Sequence, residues 1–147
     1  MLARNGMRGK SMATYIGGCA CGKVRYEAGG EPQRMVSCHC RDCQRASGSA
    51  YAALLGFERA EVKLTGEVKY FAVTSERGTQ LERGFCPHCG SPVTVRPGAR
   101  PDALYVHAAS LDDPALFKPT MQIWTRSAPP WDHLDPRIPH YDTRPPV

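Results

Sequence analysis

The sequence predicts a small, mainly β domain of antiparallel sheets, and three observations carry that expectation. Short runs with period-two alternation or β-branched residues recur along the chain. Turn-forming residues separate most of them, and 14 glycines with 13 prolines leave little room for long helices. At 147 residues the chain can bury one modest core, but it is too short for two domains of ordinary size.

Taken in order, residues 1–13 read as a disordered basic leader. Arg4, Arg8 and Lys10 fall there, and no apolar run of the kind found in a secretory signal follows them. The body, 14–147, reads as a single domain. It begins with the loop GGCACG (17–22), then strands at 23–28 (KVRYEA) and 34–37 (RMVS). CHCRDC (38–43) comes next and runs into a short helical turn, RDCQRAS (41–47). Further strands are expected at 51–57, 61–66, 67–73 and 80–85, where alternation returns. The loop CPHCG (86–90) precedes two more, at 92–96 and 104–109. From 110 to 147 the chain becomes proline-rich. That segment is expected to wrap over the domain, with Trp124 and Trp131 as its anchors.

Composition excludes several functions. The longest mainly apolar run, AYAALLGF (50–57), is far short of the roughly 20 residues that span a bilayer, so no membrane association is expected. The formal charge of +5 is concentrated in the leader; residues 13–147 carry 16 basic and 14 acidic side chains. No basic stripe interleaved with aromatics appears, which argues against a nucleic-acid partner.

The cysteines carry the chemistry. All seven fall in tight clusters: Cys19 and Cys21, then Cys38, Cys40 and Cys43, then Cys86 and Cys89. An odd number cannot all pair internally, and a chain without a secretory signal is expected in the reducing cytoplasm, where clustered cysteines bind metal or do redox chemistry. A thiolate zinc site needs sulfurs about 2.3 Å from the ion, supplied by short local pairs from distant segments. CAC and CPHC fit that need, and their flanking glycines let both loops curl around an ion. Together they offer four thiolates, a closed site of structural type. His88, inside the second loop, reads as a solvent-facing residue.

Cys38, Cys40 and Cys43 remain as a set of three. Three protein ligands with an open fourth position is the pattern of catalytic zinc. Two other arrangements stay open: His107, His133 or His140 closes the site, or the trio serves a single metal with thiols to spare. His39 is a poorer candidate, since a residue flanked by ligands on both sides tends to project away from the ion. Three thiolates on Zn²⁺ leave a net charge of −1, a weak Lewis acid better suited to bind an incoming thiol than to activate water. Arg41 and Arg45, spaced i, i+4, either balance that charge, hold a substrate carboxylate, or form a solvated face with Asp42.

GGCACGKVRY, SCHCRDCQRASGS, GFCPHCGSPV and QIWTRSAPPW together resemble the glutathione-dependent formaldehyde-activating family, whose domain is shared with centromere protein V. The resemblance covers 15 to about 142. It implies an Mss4-like fold of coiled antiparallel sheets with zinc-binding loops. It implies two zinc ions per chain, a structural one on Cys19, Cys21, Cys86 and Cys89 and a catalytic-type one on Cys38, Cys40 and Cys43. The implied reaction is of carbon–sulfur lyase type: glutathione coordinates the open zinc and its sulfur adds to formaldehyde. Arg45, read from the residues rather than from the resemblance, is a candidate for the thiol's carboxylate. The alternative is a non-catalytic two-zinc binding module, since Mss4-like domains include zinc proteins that bind other proteins.

Overall fold

Alternation along the chain sets which side of each strand is buried, and the structure, a computed structural model, shows this for residues 14–146. The expected leader, 1–13, lies outside the described residues. The strands are β1 (Tyr15–Gly18), β2 (Arg25–Ala28), β3 (Arg34–Cys38), β4 (Ala52–Glu58), β5 (Val62–Thr65), β6 (Lys69–Thr74), β7 (Gln80–Phe85), β8 (Pro92–Pro97), β9 (Ala103–His107) and β10 (Met121–Ile123). One α-helix, α1, covers Arg41–Ser47, the residues expected to form a helical turn. The protein is mainly β, as its alternation predicts.

Two sheets result, one of three strands in the order β1-β2-β5 and one of seven in the order β10-β3-β4-β9-β8-β7-β6. β4 lies inside the larger sheet and is buried on both faces, which explains its nearly continuous apolar run AALLGF. Its Leu55 and Phe57 join Tyr15, Tyr26, Val93 and Val106 in the main core. Tyr15 meets Phe57 edge-on, with ring centroids 5.3 Å apart, and so locks the small sheet onto the large one. Leu54 belongs to a second apolar cluster, with Val36, Val95 and three cysteines, Cys38, Cys40 and Cys43. Since successive residues of a strand point to opposite faces, β4 separates the two clusters.

The strand arrangement departs from the sequence expectation in three places. YIGG forms β1, although its two glycines give a weak strand signal. β5 and β6 are neighbours in sequence but belong to different sheets. The sheets are not wholly antiparallel, because β10 runs parallel to β3, with Met121 beside Val36 and Ile123 beside Cys38. This last strand lies inside the segment expected only to wrap, and the buried side chain of Gln122 explains how it is held. Its amide nitrogen donates to the carbonyls of Asp135 and Ile138, at 2.9 and 3.2 Å, and its oxygen accepts from Asp135 N at 3.1 Å. Of the two expected anchors, Trp124 packs against the second cluster, whereas Trp131 is 67% exposed and belongs to neither apolar cluster.

Gln122→Leu strands two carbonyls and one N–H together. An unmet, partly buried group of this kind costs about 1–3 kcal/mol. The expected outcome is a loss of that order in denaturant unfolding, with earlier protease cleavage after residue 128 than in the parent chain.

Candidate metal centres

β1 delivers Cys19 and β7 delivers Cys86, and two similar turns complete the first centre. Gly22 N donates to Cys19 O and Gly90 N to Cys86 O, at 3.2 and 2.8 Å. Gly22 and Gly90 sit at φ 81° and 79°, a region that side chains other than glycine rarely adopt. The four sulfurs of Cys19, Cys21, Cys86 and Cys89 lie within 4.8 Å of one another. Cys19 Sγ stands 3.5 Å from Cys21 Sγ, and Cys21 Sγ stands 3.8 Å from Cys86 Sγ. A tetrahedron with metal–sulfur bonds of 2.3 Å has edges of about 3.8 Å, so the cage fits such an ion. Its sulfurs are also supported from outside. Val24 N donates to Cys19 Sγ at 3.2 Å, and the Ser91 hydroxyl lies 3.2 Å from Cys89 Sγ. The Ser91 hydroxyl, joined by its backbone N–H, holds the Cys89 thiol down to about 5. His88 is exposed, as expected of a loop residue.

The second group forms where β3 passes into α1. Cys38 ends the strand and Cys40 caps the helix, its sulfur accepting from Cys43 N at 3.3 Å. One helical turn later Cys43 returns to the same point. These three sulfurs form a group of their own, with no further histidine, cysteine, aspartate or glutamate ligand atom among the described residues. Hydrogen bonds to Cys40 and Cys43 push the Cys38 thiol up, while hydrogen bonds from Cys38 and Cys43 pull Cys40 down. Without a cation, the group therefore shares its protons rather than ionising fully. This donor set suits a thiophilic ion.

The histidines take other positions. His39 is buried between the two ligands and faces away, its Nε2 3.3 Å from Asp132 Oδ2 and its ring tilted against Tyr51. His133 and His140 are exposed. His107 is buried and lines a different cavity, with Cys19, Tyr51 and Ser110. Burial pushes its imidazole down to about 4, and the charge of Arg83 acts in the same direction.

The arginines also differ from expectation. Arg45 is exposed and does not line the cavity beside the trio, because it points outward from α1. Arg41 is bonded to Gln44. The cation that does approach the trio is Arg83 of β7, whose Nη2 is 3.8 Å from Cys43 Sγ and whose buried Nη1 has no hydrogen-bond partner. A sequence signal existed for it, since alternation puts Arg83 on the same face of its strand as Leu81 and Phe85. The trio opens on a cavity of about 230 Å³, with Arg83, Leu81, Val95 and Trp124 in its lining.

The two groups should respond differently to mutation. Structural zinc contributes about 10–16 kcal/mol in small peptides, as much as or more than the net stability of a domain. Serine at Cys19, Cys21, Cys86 or Cys89 is expected to yield insoluble or molten protein. Serine at Cys38, Cys40 or Cys43 is expected to leave a cooperatively folded chain, by circular dichroism and thermal melting, and, where each group holds an ion, one with one ion fewer by metal analysis.

His107 gives a pH signature. The unfolded chain protonates this imidazole near 6.5 and the folded one near 4, so the unfolded state binds more protons in between. Stability should fall by about 3 kcal/mol as pH drops through that window, and His107→Gln should remove this part of the slope in urea titrations.

Comparison with known proteins agrees with the geometry. The crystal structure of a Rhodobacter sphaeroides protein superposes with a TM-score of 0.54 at 18% identity, covering 86% of this chain and 99% of that one, and so supports the fold. Among curated proteins none matches. The pattern of the glutathione-dependent formaldehyde-activating enzyme family matches residues 14–127, a span that holds both cysteine groups and Arg83. The chain belongs to the glutathione-dependent formaldehyde-activating enzyme family.

Proposed function

We propose that this protein is a zinc enzyme of carbon–sulfur lyase type that joins a small thiol, glutathione or a relative of it, to a small aldehyde such as formaldehyde. The observation that supports this best is the difference between the two cysteine groups. Four sulfurs converge in one, whereas the other has three and opens on a cavity. Zinc held by Cys38, Cys40 and Cys43 would supply a coordination position at which a thiol loses its proton near neutral pH yet stays nucleophilic. Clustered free thiols also fit a reducing compartment, the cytoplasm.

The chain's own residues do the rest. Cys38, Cys40 and Cys43 fix the sulfur's position at the cavity's end. As the substrate sulfur attacks the carbonyl carbon, a C–S bond forms and the C=O π pair moves onto oxygen. The proton given up by the thiol returns to that oxygen through water, and the product is an S-hydroxymethyl thiol. Arg83 Nη1, buried and unpartnered, is the donor available for the developing negative charge. Its guanidinium also offsets the excess negative charge of three thiolates.

Cobalt in place of zinc tests the reading directly. A thiol is expected to intensify the sulfur-to-cobalt charge-transfer band, and Cys40→Ser to abolish that response while the four-cysteine signal persists. Loss of a single oxyanion donor typically costs about 10²–10³ in kcat. Arg83→Gln should thus cut the rate of glutathione–formaldehyde adduct formation by at least about 10²-fold while the cobalt response to thiol persists. Spectra that ignore every thiol tried would instead favour a non-catalytic two-zinc binding module.

A further inference from the structure

Thiol addition to formaldehyde needs only a coordination position and room for a small carbonyl, and the cavity beside the trio holds more than that. Val36, Leu54, Leu81, Val95, Tyr105 and Trp124 give it apolar walls. Four arginines, Arg34, Arg77, Arg83 and Arg100, also line it, against two carboxylates, Asp42 and Glu76. Among the described residues none of the four is in an ion pair; the arginine ion pairs involve Arg25, Arg96, Arg126 and Arg137. Glu76 is itself engaged by Arg126, which leaves the cationic excess uncompensated.

Arg34 and Arg77 are exposed and Arg100 is half-buried, so these three guanidiniums stand at the solvent side of the apolar cavity, where water screens their mutual repulsion and a bound anion would be attracted by all of them. Their planar forks match carboxylate or phosphate oxygens. Arg100 is already oriented, its Nη2 donating to Gln33 Oε1 at 2.9 Å. The walls impose the opposite requirement. A ligand that is polar along its whole length would lose water against valine and leucine with no hydrogen bonds in return. Size adds a third limit, because about 230 Å³ is below the range of about 300–1,000 Å³ usual for drug-sized ligands.

We propose that the cavity selects a thiol with a short apolar body and an anionic end group, its sulfur at the cysteine trio and its anion among Arg34, Arg77 and Arg100. This rests on the thiol-binding reading of the trio and narrows it from a uniformly polar thiol to an ω-anionic apolar one.

The test uses the full chain with cobalt in both centres and titrates the charge-transfer band with 6-mercaptohexanoate, its methyl ester and glutathione. The expected result is mercaptohexanoate binding at least tenfold tighter than either of the others. In a variant carrying Arg34→Gln, Arg77→Gln and Arg100→Gln the acid should fall to the affinity of the ester, while the ester and the starting spectrum stay unchanged. Equal affinities for acid and ester, a tighter fit for glutathione, or an acid affinity indifferent to the three substitutions would overturn the inference. Hexanoate, which has no thiol, separates the two readings by calorimetry. Arginine-dependent hexanoate binding with cobalt spectra silent to every thiol supports the cavity's selectivity and overturns thiol coordination. Failure of hexanoate and all thiols to bind overturns both.

Discussion

Convergence of four sulfurs from two distant loops is the constraint on which the remaining structure depends. Cys19 leaves the small sheet at the end of β1, and Cys86 leaves the large sheet at the end of β7. Both are buried within the main apolar cluster that joins the two sheets, while Cys21 and Cys89 face outward. An ion bound there would therefore close a loop of more than 60 residues at the edge of the core. Loop closure is costly in chain entropy, and a small core has little surplus with which to meet it. The Tyr15–Phe57 contact works on the same junction from inside, so β1 is held at both its ends.

The second group is built on a different principle. Its three cysteines are local, spread over one strand end and one helical turn, so they contribute little to closing the chain. What they create is a cluster of thiols next to apolar walls, in which Cys40 is pulled toward its ionised form by hydrogen bonds from Cys38 and Cys43. Arg83 answers that charge from β7, a strand on the far side of the sheet from β3. The same guanidinium keeps His107 neutral, and burial does so more strongly. One cation thus contributes both at the cavity and, second to burial, at the buried end of β9.

Much of the fold was readable because alternation is a local property. Eight of the expected strands appear with their ends shifted by only a few residues, and the helix falls where RDCQRAS predicted it. β10 was not readable, since MQI is three residues long and its partner is β3, more than 80 positions away. Cysteine spacing likewise separated a four-sulfur from a three-sulfur group, because ligand geometry leaves a mark on short intervals. The i, i+4 spacing of Arg41 and Arg45 puts both on one side of α1, but Arg45 is exposed and does not line the cavity. Arg83 is 40 residues from Cys43; alternation marks the face of β7 on which it lies, but only sheet order brings that face to the trio, and no local pattern encodes sheet order. Trp124 and Trp131 looked equivalent as anchors, yet only the one following β10 is held by a strand.

Trp124 also shows why the proline-rich tail belongs to the site. It adopts φ 57°, ψ 35°, a left-handed conformation unfavourable for a bulky residue by roughly 1–2 kcal/mol. Such strain persists only where the surroundings over-determine it. Here they do: Trp124 N donates to Thr143 O at 2.8 Å, and the Thr125 hydroxyl donates to Tyr141 O at 3.0 Å. Gln44 Nε2, on α1, donates to both His39 O and Ser127 O, so the trio's own segment is bonded to the tail. Asp132, also in the tail, lies 3.3 Å from His39 Nε2 through its Oδ2. The strained backbone thereby turns the indole into the cavity wall next to Cys40 and Cys43, with Arg126 stacked on it at 5.1 Å. A segment that only covered the core would need none of these bonds to the cysteine-bearing turn. Their presence makes the tail a wall of the cavity beside the cysteine trio as well as a strand of the sheet.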